Sequence, residues 1–316
     1  MKDIWKDGIW GFVVADALGV PVEFTSRDER MCDPVIGMRE YGTHHQPMGT
    51  WSDDSSMVLA TVDSIRSKGG IDYKDIMDKF AAWCHHADYT PHQDVFDIGG
   101  TTRQAIMKYG MGEDPIKSGC DSERDNGNGS LMRILPVCLY LYQRRKTVCT
   151  SDDEGVYMIH NVSALTHAHL RSKIGCGIYF FMVEAVIGSE GDLIDRLQTG
   201  VDAAFMYYRH DSRNHTELET YSRFIDLVEL KQTSVDQIKS SGYVVDTLEA
   251  AVWCLITTDS YESAVLKAVN LGDDTDTVGA VTGGLAGLFY GFEGIPKAWI
   301  DVIQRKEWIK ALIDGL

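Results

Sequence analysis

No stretch of this chain is apolar for long enough to cross a bilayer. The longest, from Val278 to Phe292, is interrupted by glycines and falls short of the roughly 20 residues a spanning helix needs. No membrane segment is expected. Positive charge is scarce as well: 30 Lys and Arg stand against 47 Asp and Glu, a formal charge of -17. General nucleic-acid binding and attraction to anionic membranes are disfavoured, although a local basic pocket remains open. The seven cysteines, Cys32, Cys84, Cys120, Cys138, Cys149, Cys176 and Cys254, are odd in number, scattered, and never in C-x-x-C spacing. They suggest neither a disulfide framework nor a zinc ribbon, and reduced thiols in a cytoplasm are the simpler expectation. The opening MKDIWKDGIW has acidic residues and aromatics where a secretory leader needs a basic start and an unbroken apolar stretch, so it reads as mature protein.

Alternating strand patterns are nearly absent too, and so are fixed-period repeats and Pro/Ser-rich linkers. What is present is helical periodicity. Apolar residues recur at three and four through Ile9, Phe12, Val13 and Leu18, then Met57, Val58, Val62 and Ile65, then Ile76, Phe80 and Trp83. Further helices are expected over Ser130 to Gln143, Val156 to Leu165, Ser172 to Ile187, Leu193 to Tyr208, Val244 to Thr257, Ser260 to Asn270, Thr275 to Tyr290 and Ala298 to Leu316. Gly110 to Gly129 and His210 to Thr220 are polar and turn-rich and read as long loops. With 44% hydrophobic residues over 316 positions, the expectation is an all-α protein forming a single compact domain over residues 1–316, with nothing that calls for more than a monomer.

Two helix starts carry unusual chemistry. In Gly49-Thr50-Trp51-Ser52-Asp53-Asp54, Ser52 suits an N-cap and both aspartates fall in the first turn, where the positive helix end favours carboxylates. Capping alone accounts for that much. In Asp273-Asp274-Thr275-Asp276-Thr277 the following helix is apolar, and Gly279, Gly283 and Gly287 give it a smooth face for close packing. Aspartates crowded at the end of a buried helix repel one another, and a bound cation is the usual compensation. Ser52, Asp53, Asp54, Asp274, Asp276 and Thr277 supply the oxygen donors that hard divalent ions prefer. Alternate spacing lets Asp274 and Asp276 converge while Asp273 and Thr275 point elsewhere, and the carboxylates suffice for one ion or two. A third segment has small residues at Gly11, Ala15 and Gly19 and ends near Glu23, which alone would read as a surface residue.

The segments GFVVADALGVPVEF, GTWSDDSSM and GDDTDTVGAVTGGLAGLFYG resemble, in that order, the signature segments of the ADP-ribosylglycohydrolases. Asp97-Ile98-Gly99-Gly100-Thr101-Thr102-Arg103 and Asn126-Gly127-Asn128-Gly129-Ser130-Leu131-Met132-Arg133 fit as well, so the resemblance runs from about Gly8 to Gly291. It implies an all-α orthogonal helical bundle with two Mg²⁺ or Mn²⁺ ions in a cleft. Their ligands would be Ser52, Asp53, Asp54, Asp274, Asp276 and Thr277, with Glu23 as a further candidate. Ser52 and Ser55 stand where the family more often has Thr, and either hydroxyl binds a hard cation. Asp97 would lie beside the ribose, and Asp97, Asp54 and Glu23 are the catalytic candidates. Gly99, Gly100 and the loop of Asn126, Gly127, Asn128, Gly129 and Ser130 would let backbone N–H groups meet the nucleotide, although that loop by itself also reads as a tight turn.

Ala164-Leu165-Thr166-His167-Ala168-His169 resembles the family's Thr-His segment, which makes His167 a contact for ADP-ribose. His160 and His169 read as surface or capping residues. Cys84, His85, His86, Asp88, His92 and Asp94 hold potential zinc donors, but the spacing matches no common finger and zinc is disfavoured. The substrate implied is an ADP-ribosylated protein, nucleobase or small conjugate, cut at the ribose anomeric carbon through an oxocarbenium-like transition state. A two-metal phosphohydrolase is the alternative enzyme. A non-catalytic ADP-ribose binder ranks lowest because no metal carboxylate is missing.

Overall fold

The protein is described by a computed structural model covering residues 3–145 and 153–316. Its α-helices are α1 (Ile4–Gly19), α2 (Arg27–Cys32), α3 (Asp53–Lys68), α4 (Tyr73–His86), α5 (Gly100–Gly110), α6 (Leu135–Arg145), α7 (Asp153–Ala164), α8 (Leu170–Gly188) and α9 (Leu193–Arg209). They continue with α10 (His215–Glu219), α11 (Leu227–Lys231), α12 (Val244–Ile256), α13 (Tyr261–Val269), α14 (Thr275–Tyr290), α15 (Lys297–Val302) and α16 (Lys306–Ile313). Among the described residues there is no sheet, only isolated bridges such as Gly127 to Tyr243. The all-α expectation holds, and no described helix is long and apolar enough to span a membrane. Six of the seven cysteines are free thiols, and Cys149 lies outside the described residues.

The helices begin where capping chemistry is encoded. Asp3 accepts from Lys6 N at 3.0 Å, Asp72 from Asp75 N at 3.0 Å, and Ser260 closes a capping box with Ser263. His169 caps α8 through Arg171 N, as its position suggested. His160 instead is half-buried and bonds Tyr208 Oη at 2.8 Å.

Four boundaries differ from the sequence expectation. Ser130 to Ile134 forms a tight 3₁₀ turn, and α6 starts only at Leu135, because Pro136 has no N–H to donate and belongs in a first turn. The segment His210 to Thr220 contains α10, and α5 arises where apolar periodicity is weak. The helix expected over Ala298 to Leu316 is two helices, broken at Arg305, whose φ is +47°. The break docks the chain on the approach to α3: Gln304 N donates to Gly49 O at 3.1 Å, Gln304 Nε2 to Met48 O at 2.9 Å, and Arg305 to Thr90 O at 2.7 Å.

The centre of the molecule is the crossing of α1 and α14, both buried along nearly their whole length. Their small-residue faces meet backbone to backbone. A Cβ at Gly11 would lie 2.4 Å from Gly283 O, and one at Gly283 would lie 2.3 Å from Gly11 O. At the end of α1, a Cβ on Gly19 would fall 2.4 Å from Asp276 Cα. Polar bonds lock the crossing: Tyr261 Oη donates to Gly11 O at 2.7 Å and Thr275 Oγ1 to Gly19 O at 2.8 Å. Asp7 Oδ1 accepts from Phe292 N at 2.8 Å at the far end. The helices α8, α12 and α13 flank this pair and close the core.

No side-chain rotation relieves an overlap with a carbonyl, so Gly283→Ala should destabilise the fold by about 1–3 kcal/mol through forced separation of the helices. Gly110→Ala, where a Cβ meets nothing within 4 Å, should stay within about 0.5 kcal/mol. Urea unfolding of both variants checks this, and equal midpoints would contradict it.

Candidate functional site

Ser52 is the N-cap of α3 and accepts from Asp54 N at 3.3 Å. The start of α3 is also held from outside, by Asp16 in the last turn of α1. Its carboxylate accepts from Ser52 N at 3.0 and 3.2 Å, from Ser55 N at 3.0 Å and from Ser55 Oγ at 2.5 Å. Sequence reasoning did not single out Asp16. Its only signal is one carboxylate inside an otherwise apolar helix face. Fixed this way, Asp53 and Asp54 are buried, although their positions in a first turn alone would suit solvent.

The start of α14 comes to the same place. Asp276 Oδ1 accepts from Thr277 N at 2.9 Å, and Thr277 Oγ1 donates to Asp54 Oδ1 at 3.3 Å, joining the two helix starts directly. Asp274 Oδ2 accepts from the Asn128 amide at 2.8 Å. Asp273 and Thr275 turn away as the spacing predicts, Asp273 through backbone bonds to Phe24 and Thr25, Thr275 to Gly19.

Glu23 departs from the surface residue its isolated position suggested: it is 3% exposed. One oxygen from each of Glu23, Asp274 and Asp276 lies within 4.8 Å of the other two, and Glu23, His44 and Asp97 form a second such group. The turn before α3 pins Glu23, with Thr43 Oγ1 donating to its carbonyl at 2.7 Å and His44 Nε2 lying 2.5 Å from Oε2. His44, ringed by Phe24 and Phe96, is a second residue the sequence did not mark. Asp97 sits half-buried on the rim, within reach of both Glu23 and Asp53. Phe24, Asp97 and Asp273 all border the cluster with φ near +60°, a conformation costly for side-chain-bearing residues and concentrated where function demands it.

No Lys or Arg pairs with these carboxyls among the described residues. Burial is the first cause of their raised pKa values, and mutual repulsion follows: Asp276 on Asp54, Asp97 on Asp53 and Asp276, Asp276 on Glu23. Asp97 is pushed up to about 7 by burial and then by Asp274. Asp16 rises to about 6 through burial, against the hydrogen bonds from Ser55 and Ser52. Asp54 Oδ2, Asp274 Oδ1 and Asp276 Oδ2 are buried with no hydrogen-bond partner in the protein. Buried carboxylate oxygens without donors, in an all-oxygen set, fit a hard cation. His85, His86 and His92 form no metal-ligating group among the described residues, and His92 Nε2 bonds Thr50 Oγ1 at 3.0 Å.

The two glycine segments border this cluster. Gly99 and Gly100 open α5 on the exposed side, and a Cβ on Gly100 would touch no protein atom within 4 Å, so the fold itself does not require that glycine. The loop Asn126 to Ser130 is clamped to the chain before α12: Asn128 N donates to Gly242 O at 2.9 Å and Val244 N to Asn126 O at 3.0 Å. The side chains of Asn126 and Asn128 are spent inside the protein, on Glu123 and Ser172 and on Thr247 and Asp274. The N–H groups of Gly127, Gly129 and Ser130 have no partner among the described residues, and His167 packs on this loop.

By its likeness to known proteins, this all-helical chain, with carboxylates pooled at its helix starts beside glycine-bearing loops, falls among the hydrolases acting on glycosidic bonds. More closely, this chain belongs to the ADP-ribosylglycohydrolase family, whose model matches residues 2–316. It is 31% identical to the ADP-ribosylarginine hydrolase Tri1 of Serratia proteamaculans (strain 568), covering 98% of this chain and 78% of that protein. It is 30% identical to the ADP-ribosyl-dinitrogen reductase glycohydrolase of Rhodospirillum rubrum, covering 97% of this chain and 92% of the relative. A solved structure described as an ADP-ribosylglycohydrolase-related protein complex superposes with a TM-score of 0.76 and 27% identity, over 98% of this chain and 95% of that one. The family is metal-dependent, and the acidic groups here can hold metal.

The raised carboxyl values give a pH test. A carboxyl whose folded pKa exceeds its unfolded value contributes stability that is present below the unfolded pKa and is lost as pH rises through the folded one. For Asp16 and Asp97 that loss ends near about 6 and about 7. In chelator, Tm should therefore fall between about pH 4 and about pH 7, and added Mn²⁺ should flatten the fall by replacing protons. A chelated protein that gains stability over that range would contradict the electrostatics described.

Proposed function

We propose that this chain, as a single domain over residues 1–316, removes ADP-ribose from modified arginine using two divalent cations, Mg²⁺ or Mn²⁺. The observation that carries the reading is the meeting of the α3 and α14 starts, with buried carboxylate oxygens that nothing in the protein satisfies. Ser52, Asp53, Asp54, Asp274, Asp276 and Thr277 would hold the cations, with Glu23 on the Asp97 side. Arginine as acceptor is supported by the activity in the name of the Serratia relative. It is also supported by the chemistry of the rim, where the carboxyl of Asp97, beside the buried Glu23, can hydrogen-bond a guanidinium leaving group. The family and the names of the relatives support glycosidic cleavage over the phosphohydrolase alternative.

Cations bound here would supply Lewis acidity, neutralising the carboxylates, polarising ribose hydroxyls and acidifying a water. The chain's own groups do the rest. Asp16 keeps the α3 start in register, so Asp53 and Asp54 need not rearrange. Asp97, half-buried on the rim within reach of Glu23 and Asp53, accepts a proton from the attacking water as a C–O bond forms at the anomeric carbon. The C–N bond breaks, and the same carboxyl returns the proton to the departing guanidine nitrogen. Asp54 and Glu23 flank this exchange and orient the reacting groups. Gly99, Gly100 and the Asn126 to Ser130 loop hold the nucleotide through backbone N–H groups, with His167 beside them.

Asp97→Asn should lower turnover of ADP-ribosylarginine by about 10²–10⁴-fold, with Mn²⁺ still bound by calorimetry. Asp54→Asn and Asp276→Asn should abolish both Mn²⁺ binding and turnover while circular dichroism stays helical. Parent rates in either of the last two variants would remove them from the site. Release of inorganic phosphate or a nucleoside monophosphate, with no intact ADP-ribose, would revive the phosphohydrolase.

A further inference from the structure

Behind the Asn126 to Ser130 loop lies a cation that the reaction as described does not use. Arg133 is fully buried, and no carboxylate pairs with it among the described residues. Its Nη2 donates to Val162 O at 3.1 Å and to Thr166 Oγ1 at 2.7 Å, its guanidinium carbon sits 4.8 Å from the centre of the Phe80 ring, and Nε and Nη1 have no hydrogen-bond partner in the protein. Burial lowers its pKa only to about 10, so it stays charged at neutral pH. A buried charge without a counter-ion is costly, and this one faces a single neighbour that can pass its influence on.

That neighbour is Thr166. A hydroxyl has one hydrogen to donate and lone pairs to accept with. Thr166 Oγ1 accepts from Arg133, and a guanidinium can accept nothing in return. The one acceptor its hydrogen meets among the described residues is His167 Nδ1, at 2.8 Å, and the relay we infer has it donate there. With Nδ1 accepting, the proton of the neutral imidazole sits on Nε2. Burial, followed by the Arg133 charge, pushes the His167 pKa down to about 3, so the ring is neutral. Ser163 fixes the backbone, donating from Oγ to His167 O at 2.9 Å and accepting from His167 N at 2.8 Å.

His167 Nε2 meets no hydrogen-bond partner among the described residues, and the facing loop is cut back to glycine around the ring. A Cβ on Gly129 would lie 2.7 Å from His167 Cε1 and 3.2 Å from Nε2, and one on Gly127 would lie 3.5 Å from Nε2. The imidazole N–H thus stands with the unpaired N–H groups of that loop, and Asp125 is the carboxylate whose charge reaches the ring.

We propose that Arg133 and Thr166 are positioning residues that hold His167 as the Nε2–H tautomer, so that it donates to a diphosphate oxygen of ADP-ribose. The proposal rests on the ADP-ribose reading of the site. The buried guanidinium sets the direction of every hydrogen in the relay and adds positive charge where an anion must enter a strongly acidic protein.

The test uses ¹⁵N-histidine-labelled full-length protein with Mg²⁺, the His167 signals being assigned by their loss in His167→Gln. The parent protein should show the neutral Nε2–H tautomer. Thr166→Val should lose that tautomer and weaken ADP-ribose binding about tenfold by calorimetry, the worth of one such hydrogen bond, while Thr166→Ser restores both. An Nδ1–H tautomer in the parent, or parent affinity in Thr166→Val, overturns the relay. Absence of ADP-ribose binding by the parent, with the Nε2–H tautomer present, overturns the ligand and the reading it rests on, and the spectrum tells that failure from the first.

Discussion

The backbone contact between α1 and α14 sets everything else. Because Gly11 and Gly283 let the two helices touch without side chains between them, and Gly19 lets the end of α1 reach Asp276, the chain delivers three acidic segments to one point. Asp16 reaches from α1 to the start of α3, Glu23 follows directly from α1, and Asp274 and Asp276 open α14. A wider crossing would move these groups apart by the thickness of a methyl, and oxygen donors for one cation tolerate little of that. Close packing here is a requirement of the chemistry as well as of the core.

The resulting cluster is an electrostatic liability in an empty protein. Helix N-termini offset part of the repulsion, and Asn128 and Thr277 donate to Asp274 and Asp54. What remains is relieved either by protons or by cations, and the two compete for the same oxygens. A site of this kind trades fold stability for a ready-made cage, with the left-handed backbone at Phe24, Asp97 and Asp273 as a further cost at the same place.

Much of this was legible in the sequence because it is written locally. Caps, acidic first turns and apolar spacing marked α3, α14 and their acidic starts, and the small residues of both central helices marked faces for close packing, though not that the two faces meet each other. The resemblance added Asp97, the glycine segments and His167, which the fold gathers around the acids. What escaped was non-local. Nothing beside Asp16 says that its partner is a helix start many residues away, and His44 in its turn looks like any surface histidine. The asparagines of the loop read as ligand contacts, yet their amides are used within the protein. The stop at Arg305 has no Pro or Gly to mark it, since docking of Gln304 on Gly49 decides it.

The hydrogen bond from Thr275 to Gly19 joins positions 256 residues apart. Loop closure over such a span is slow, since its entropy must be met before any contact there returns energy. A growing chain on the ribosome therefore carries Asp16, Glu23, Asp53 and Asp54 well before α14 exists. Throughout that interval it presents acidic helix starts with no opposite half, and the acidic cluster comes together only once α14 has been made.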